Sequence, residues 1–385
     1  MSPVPLQNDN LEKSVIIQDL DDLKIRTTGN SSWAYKVLSG PRMTRVLHIM
    51  PGRRDETIVC NIHMINLDES PTYEAVSYCW GDPKPSSQII LDGRRAYISL
   101  NLCKALQELR LTTEMRVLWA DALSIDQSNK SEKSQQILLM KQIYRRARKV
   151  FIYLGEFGDM EMTSNVVQLI RELAQCYKRS DKNWRFSLEK NIRYLGLPGV
   201  DSEKWTKLTD FLNFPWFGRV WVIQEVALSQ HAHVAIGGLI LDWKDLADAC
   251  YVLDDSGLSS LVLGAKHRNI NFMDLCRWSL ARGNQLEPLK LADEARSFAA
   301  TDSRDKIYGL LGLFETAQPK FDIVDYNLST SEVYSSFTFY CIHRYGNLDV
   351  FSSLHSPPTA PNGSNETDGI LHGRLTGQRH EKGDS

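Results

Sequence analysis

Hydrophobic and polar positions along this chain change period several times, and each change marks a new element. Between Trp33 and Ile65 the text breaks into short β-like pieces, YKVL, TRVLHIM and TIVCNIHMI. The PGRRDE turn at 51–56 separates the last two, so the spacing predicts a hairpin that leads into the main domain. YEAVSYC at 73–79 reads as a strand ending in the turn signal Trp80-Gly81-Asp82-Pro83. Asp92-Gly93 sits between two short alternating runs, a two-residue hairpin signal. Leu102, Ala105, Leu106 and Leu109 then recur at helical spacing, with Asn101 as the expected cap. Val117–Trp119 predicts a short strand that delivers Asp121 from its carboxyl end.

A second helical stripe follows, with Ile137, Met140, Ile143, Tyr144 and Ala147 on one side and Ser128 or Ser131 as its cap. Val150–Leu154 is nearly all apolar, as a strand buried on both faces should be. Strand, helix and strand in this rhythm imply right-handed crossovers in a parallel sheet, hence an α/β layer fold. Residues 156–215 read as a helical insertion within a main domain spanning 73–229. Residues 230–355 read as a mainly helical C-terminal extension that opens with the β-like HVAIGGLIL. Near its middle, Asp302 is the expected cap of a helix with Ile307, Leu310 and Leu311 inward. Residues 1–32 are polar and are expected to be flexible, 33–72 form the β-rich lead-in, and 356–385 have the composition of a disordered tail.

Composition narrows the functional classes. The chain has 385 residues, 42% hydrophobic and 24% charged, the balance of an ordinary globular protein with a sizeable core. A formal net charge of -2 lacks the basic excess of a nucleic-acid binder and gives no pull towards an anionic membrane. Seven dispersed cysteines without a CxxC pair fit reduced thiols in a cytoplasmic protein. No segment resembles a signal peptide, and the longest apolar runs are too short to span a bilayer. Phosphate-loop, dinucleotide-binding, nucleophile-elbow and HExxH motifs are absent. His231 and His233 share a strand face but lack a third ligand, so no metal is expected.

Four blocks stand in order: YEAVSYCWGD at 73–82, LWADALSIDQ to FIYLGE at 118–156, PWFGRVWVIQEVALS at 215–229 and ATDSRDKIYGLLGL at 300–313. In sequence and spacing they resemble the heterokaryon-incompatibility (HET) domain of filamentous fungi, a self/non-self and cell-death module. Two departures are Ser124 and Asp126, where the family commonly has Cys and Asn. Family members also tend to continue past the position of Leu354, so the resemblance leads to the expectation of a shortened C-terminal half. HET domains are similar in layout to TIR domains, some of which cleave NAD, so the resemblance implies a TIR-like parallel sheet flanked by helices. It also implies an allelic or homotypic protein partner, NAD as a substrate, and no required cofactor.

TIR enzymes use a glutamate four residues after a tryptophan, and Trp221 and Glu225 have that spacing. The resemblance therefore makes Glu225 the catalytic candidate. A carboxylate beside the scissile bond stabilises the oxocarbenium-like charge that develops on the ribose. Trp80 or Trp221 would stack on a ring of the substrate, and Arg219 would hold a phosphate. Ser77, Gly81, Asp82 and Asp121 lie where open α/β sheets bind ligands, at the carboxyl ends of parallel strands. Each residue also has a plainer role. Glu225 would pair with Arg219 or Lys207 or face solvent, the tryptophans would fill core, Asp121 would cap a turn, and Gly81 would serve the backbone. On the same grounds Glu132 is a first-turn carboxylate favoured by the helix dipole. A non-catalytic module that signals by assembly or partner binding is the competing function.

Overall fold

The computed structural model describes residues 26–27, 34–82, 84–179, 188–314 and 324–351. The expected flexible N-terminus, apart from Arg26 and Thr27, and the expected tail at 356–385 lie outside the described residues. Among the described residues ten strands form one sheet. In chain order they are β1 Arg26–Thr27, β2 Met43–Ile49, β3 Val59–Asn66, β4 Glu74–Tyr78, β5 Ser87–Leu91, β6 Arg94–Ile98, β7 Arg116–Trp119, β8 Val150–Gly155, β9 Ala232–Ile236 and β10 Leu239–Asp242. Their order across the sheet is β1-β6-β5-β3-β2-β7-β4-β8-β9-β10.

The parallel sheet expected from the strand–helix rhythm is its centre: β7, β4, β8 and β9 run parallel, with Glu74 beside Leu118, Ser77 beside Ile152 and Ile152 beside Val234. The N-terminal hairpin of β2 and β3 extends this sheet rather than standing apart, because β2 pairs antiparallel with β7, Leu47 beside Leu118. Val46, Leu47 and Ile49 are fully buried, so β2 has both faces covered and behaves as an interior strand. Asp92 and Gly93 take positive φ, as a tight hairpin turn between β5 and β6 requires.

Twelve helices surround the sheet among the described residues: α1 Leu100–Leu109, α2 Asp121–Ser124, α3 Lys130–Arg146, α4 Met160–Arg179, α5 Leu188–Leu195, α6 Glu203–Leu212, α7 Trp221–Ala227, α8 Trp243–Asp255, α9 His267–Ala281, α10 Pro288–Glu294, α11 Asp305–Tyr308 and α12 Thr330–Tyr345. Strand alternation divides them into two layers. Val76, Tyr78, Phe151 and Tyr153 face α1, where Leu102, Ala105, Leu106 and Leu109 form the predicted stripe. Ala75, Val150, Ile152 and Val234 face the opposite way, onto Ile137, Met140, Ile143 and Tyr144 of α3 and the apolar sides of α4, α7 and α8.

Four local expectations need correction. YKVL at 35–38 is not a strand: Arg45 takes the Lys36 carbonyl at 2.6 Å and stacks on Tyr35, so a side chain replaces the ladder. Ser99, not Asn101, caps α1, accepting from Leu102 N at 3.3 Å, while Asn101 donates to the Cys79 carbonyl. Asn129 caps α3, because Ser128 is taken up by Asp126 at 2.6 Å. Asp302 accepts from the Arg304 backbone and guanidinium, and no side chain caps α11. No described helix is long and apolar enough to cross a membrane.

Candidate functional site

The end of β4 turns its alternate side chains to opposite layers. Ser77 points into the α7 layer, where its hydroxyl donates to Glu225 Oε2 and accepts from Trp216 Nε1 at 2.8 Å. Glu225 reaches it because the PWFG turn at Pro215–Gly218 buries Trp216 and Phe217 and starts α7 against the sheet. From Val222 to Ala227 every residue of α7 is buried, so the helix is wedged rather than laid on a surface. Glu225 is only 5% exposed. Its carboxyl is pushed up from 4.5 to about 7: burial raises it, the Arg219 charge and the Ser77 hydrogen bond oppose, and the Asp121 charge adds to the rise. Near neutral pH such a group both gives and takes protons.

Arg219, just before α7, donates to the Tyr78 carbonyl. Trp80 Nε1 donates to Asp121 Oδ2 at 2.7 Å, and Ala122 N donates to Asp121 Oδ1 at 2.8 Å. Burial raises the Asp121 carboxyl, against the charge of Arg219 and the bond from Trp80. Cys79, Trp80, Asp121 and Arg219 are half-buried, whereas Glu225 is sealed. The structure thus gathers Ser77, Trp80, Asp121, Arg219 and Glu225 around the end of β4. Asp121 does not cap α2: Ala120 is the N-cap, with no side-chain cap bond, and Asp121 is the first helical residue, accepting from the adjacent Ala122 N.

The remaining candidates stand apart from this cluster. Trp221 sends its indole N–H to Asp305 Oδ2 at 3.0 Å, towards the C-terminal region rather than towards Ser77. Asp82 is exposed and accepts from Lys84 N at 3.0 Å, a turn-closing bond. Gly81 has φ +67, and a Cβ there would lie 2.5 Å from Asn101 Nδ2, so the turn itself demands glycine. Lys207 pairs with Glu203, not with Glu225. His233 faces Asp242 at 3.8 Å, and no group of three metal-ligating side chains occurs among the described residues.

A cavity of about 220 Å³ opens at the carboxyl ends of β4 and β8, lined by Cys79, Asn101, Lys104, Tyr153, Leu154, Gly155 and Glu156. It is smaller than the roughly 300–1,000 Å³ usual for small-molecule sites. Cys79 is its one lining residue from the 77–82 turn, and neither Asp121 nor Glu225 lines it. The cavity touches both layers: Tyr153 belongs to the α1 side, whereas Cys79 and Leu154 pack with the α7 side, where the Cys79 thiol feels the charges of Arg219 and Glu225.

Sequence reasoning missed Trp216, Gln224 and Asp305. Gln224 Oε1 accepts from Gly312 N at 3.1 Å and is 2% exposed. Glu132, in the first turn of α3, does more than meet the helix dipole: it forms an ion pair with Arg45 at 2.5 Å, with side chains 10% and 1% exposed, and accepts from Asp126 N. Two charges 87 positions apart leave no local signal of pairing. Just after α3, Arg148 joins Arg116 on Glu74.

Residues 73–225 match the model of the family described as Heterokaryon incompatibility protein (HET). The chain is 27% identical over 335 residues to a Neurospora crassa protein named "Heterokaryon incompatibility protein 6, OR allele", covering 72% of this chain and 48% of that protein. It therefore spans about half the length of that curated relative. No solved structure matches it.

Proposed function

We propose, from the HET domain that residues 73–225 form, that this chain acts in heterokaryon incompatibility and does so by hydrolysing the nicotinamide–ribose bond of NAD at Glu225. The observation that carries the chemical part is a sealed carboxyl at the carboxyl end of a central parallel strand, raised to about 7 and facing the charge of Arg219. Ligands of open α/β sheets bind at this edge.

The reaction asks little of the protein. The C1′–N bond breaks with its electrons returning to the pyridinium ring, so nicotinamide leaves neutral. Positive charge on the ribose is met by the Glu225 carboxylate, which also takes the proton of the water that bonds to C1′. Arg219 suits the pyrophosphate, as a planar donor fork. Substrate entry requires the acid to be uncovered, because Ser77 and Trp216 close over it. With the acid acting ionised, activity should rise with pH through about 7.

The same closure favours a second reading. A carboxyl 5% exposed and bonded inward also serves a module that signals by homotypic assembly or by binding a recognition partner. NAD consumption by the full chain at high concentration separates the two. Turnover in wild type, reduced at least about a hundredfold in Glu225→Gln at matched circular dichroism, supports hydrolysis. Absence of turnover in both proteins supports the module.

A further inference from the structure

Helix α7 is held from two sides. Glu225 faces Ser77 on the sheet, while three contacts bind the helix and its entry to the segment at 299–312. The Val220 N–H donates to the Ala299 carbonyl at 2.9 Å, and Arg219 bridges Ala299 as an isolated parallel pair. Trp221 Nε1 donates to Asp305 Oδ2 at 3.0 Å, and Tyr326 OH donates to Asp305 Oδ1 at 2.7 Å. The Gln224 side chain accepts from Gly312 N at 3.1 Å.

The fit at these points is close. A Cβ on Gly312 would lie 2.2 Å from Gln224 Oε1, and one on Gly309 would lie 3.4 Å from Val220 Cγ1. Asp305 is itself fixed. Tyr326, which bonds it, stacks edge-on against Tyr308 at 5.3 Å and lies beneath Lys133 and Arg304. Gln224 and Glu225 are adjacent, so a displacement that frees the first must carry the second. A seven-residue helix has too few internal hydrogen bonds to hold its own place.

We propose that the segment from Ala299 to Leu313 is a latch on α7, with Asp305 and Gln224 as positioning residues that hold Glu225 against Ser77. Release of the latch lets α7 withdraw and opens the carboxyl to water. The inference deepens the reading of Glu225 as the reacting acid, but its first two readouts do not depend on that reading.

The test compares the full chain with Asp305→Ala, Tyr326→Phe and Gly312→Ala. Hydrogen exchange across 220–228 should accelerate on the order of tenfold to a hundredfold, the population change that follows loss of a hydrogen bond to a charged or buried group. Amides of β4 and β8 should keep their protection. The Glu225 carboxyl, followed by isotope-edited infrared titration, should fall from about 7 towards its ordinary range as water reaches it. In the double variant Gln224→Ala/Gly312→Ala the steric clash is absent, so it should match Gln224→Ala alone and fare better than Gly312→Ala. Exchange that rises equally throughout the protein, or a Glu225 titration unchanged in every variant, would overturn the latch. If wild type consumes NAD, Asp305→Ala should lower kcat more than it raises KM. A protein that consumes none defeats the hydrolysis reading, and exchange and titration still decide the latch.

Discussion

Replacing Glu225 by glutamine tests the central electrostatic claim without any assay of activity. The folded protein holds the Glu225 proton up to about pH 7, while the unfolded chain releases it near 4.5. Between those values the native state binds more protons than the unfolded state, so stability falls as pH rises. The benefit is complete below about 4.5 and gone above about 7. At about 1.4 kcal/mol per pKa unit, the displacement is worth roughly 3 kcal/mol. Glutamine cannot ionise, yet its amide oxygen can still accept from Ser77.

Urea unfolding of both proteins at about pH 5, 6, 7 and 8 should therefore give near-equal stabilities at the acid end. The variant should lead by up to about 3 kcal/mol at the alkaline end, with unchanged m. Asp121, also raised by burial, is electrostatically linked to Glu225 and will titrate earlier once that charge is removed. This coupling alters the shape of the difference but not its sign. A difference constant across the range, or a variant less stable than wild type at pH 8, would refute the buried-acid argument. A variant that gains stability and loses NAD turnover would show strain held at a working site.

Removing one partner of the Arg45–Glu132 pair should be severe, because Arg45 is 1% exposed and would be left charged and unpaired. Glu132→Ala should lose about 3–5 kcal/mol in chemical denaturation, and joint replacement by Arg45→Met and Glu132→Leu should lose much less. Six of the seven cysteines are buried and Cys79 is half-buried. Thiol labelling of the native protein should therefore stop at about one equivalent, against seven after unfolding. Burial raises the Cys79 thiol, so its labelling rate should keep rising above the pH at which an ordinary thiol has ionised. A native count near zero or well above one would contradict the burial pattern.

Much of the sheet was legible because its strands are short, apolar and bounded by turn residues. Val150–Leu154 read as doubly buried, and β8 is the central parallel strand between β4 and β9. The α3 stripe was right because tertiary packing uses the same 3.6-residue period that the sequence shows. Helix starts were legible only to within a residue or two. Ser99, Asn101, Ser128, Asn129 and Ser131 are all plausible caps, and the choice depends on which neighbours claim the rival side chains. The place of β2 inside the sheet was hidden, since β2 meets β7 across about seventy residues of chain. At the candidate site, Glu225 was singled out by the resemblance that its spacing from Trp221 carries, whereas Ser77, which donates to it, lies 148 residues away and no local pattern joins them.

The relation between Trp221 and Glu225 shows why that spacing told only half of the arrangement. One helical face carries both, yet one bonds to Asp305 and the other to Ser77. Helix α7 is short enough for its first turn to meet the C-terminal region while its second meets the sheet. The stretch that matches the HET family ends at 225, inside this helix, whereas the groups that hold the helix lie at Ala299, Asp305 and Gly312. A fragment cut after 229 would expose Val220 and Ile223, both fully buried here, and would leave the Val220 N–H, the Trp221 indole and the Gln224 amide without their partners. In water these groups would solvate readily, but the buried apolar surface would not, so the helix and its acid would be the first part to loosen. The block ATDSRDKIYGLLGL therefore belongs to the same physical unit as Glu225, although some seventy residues separate them in the chain.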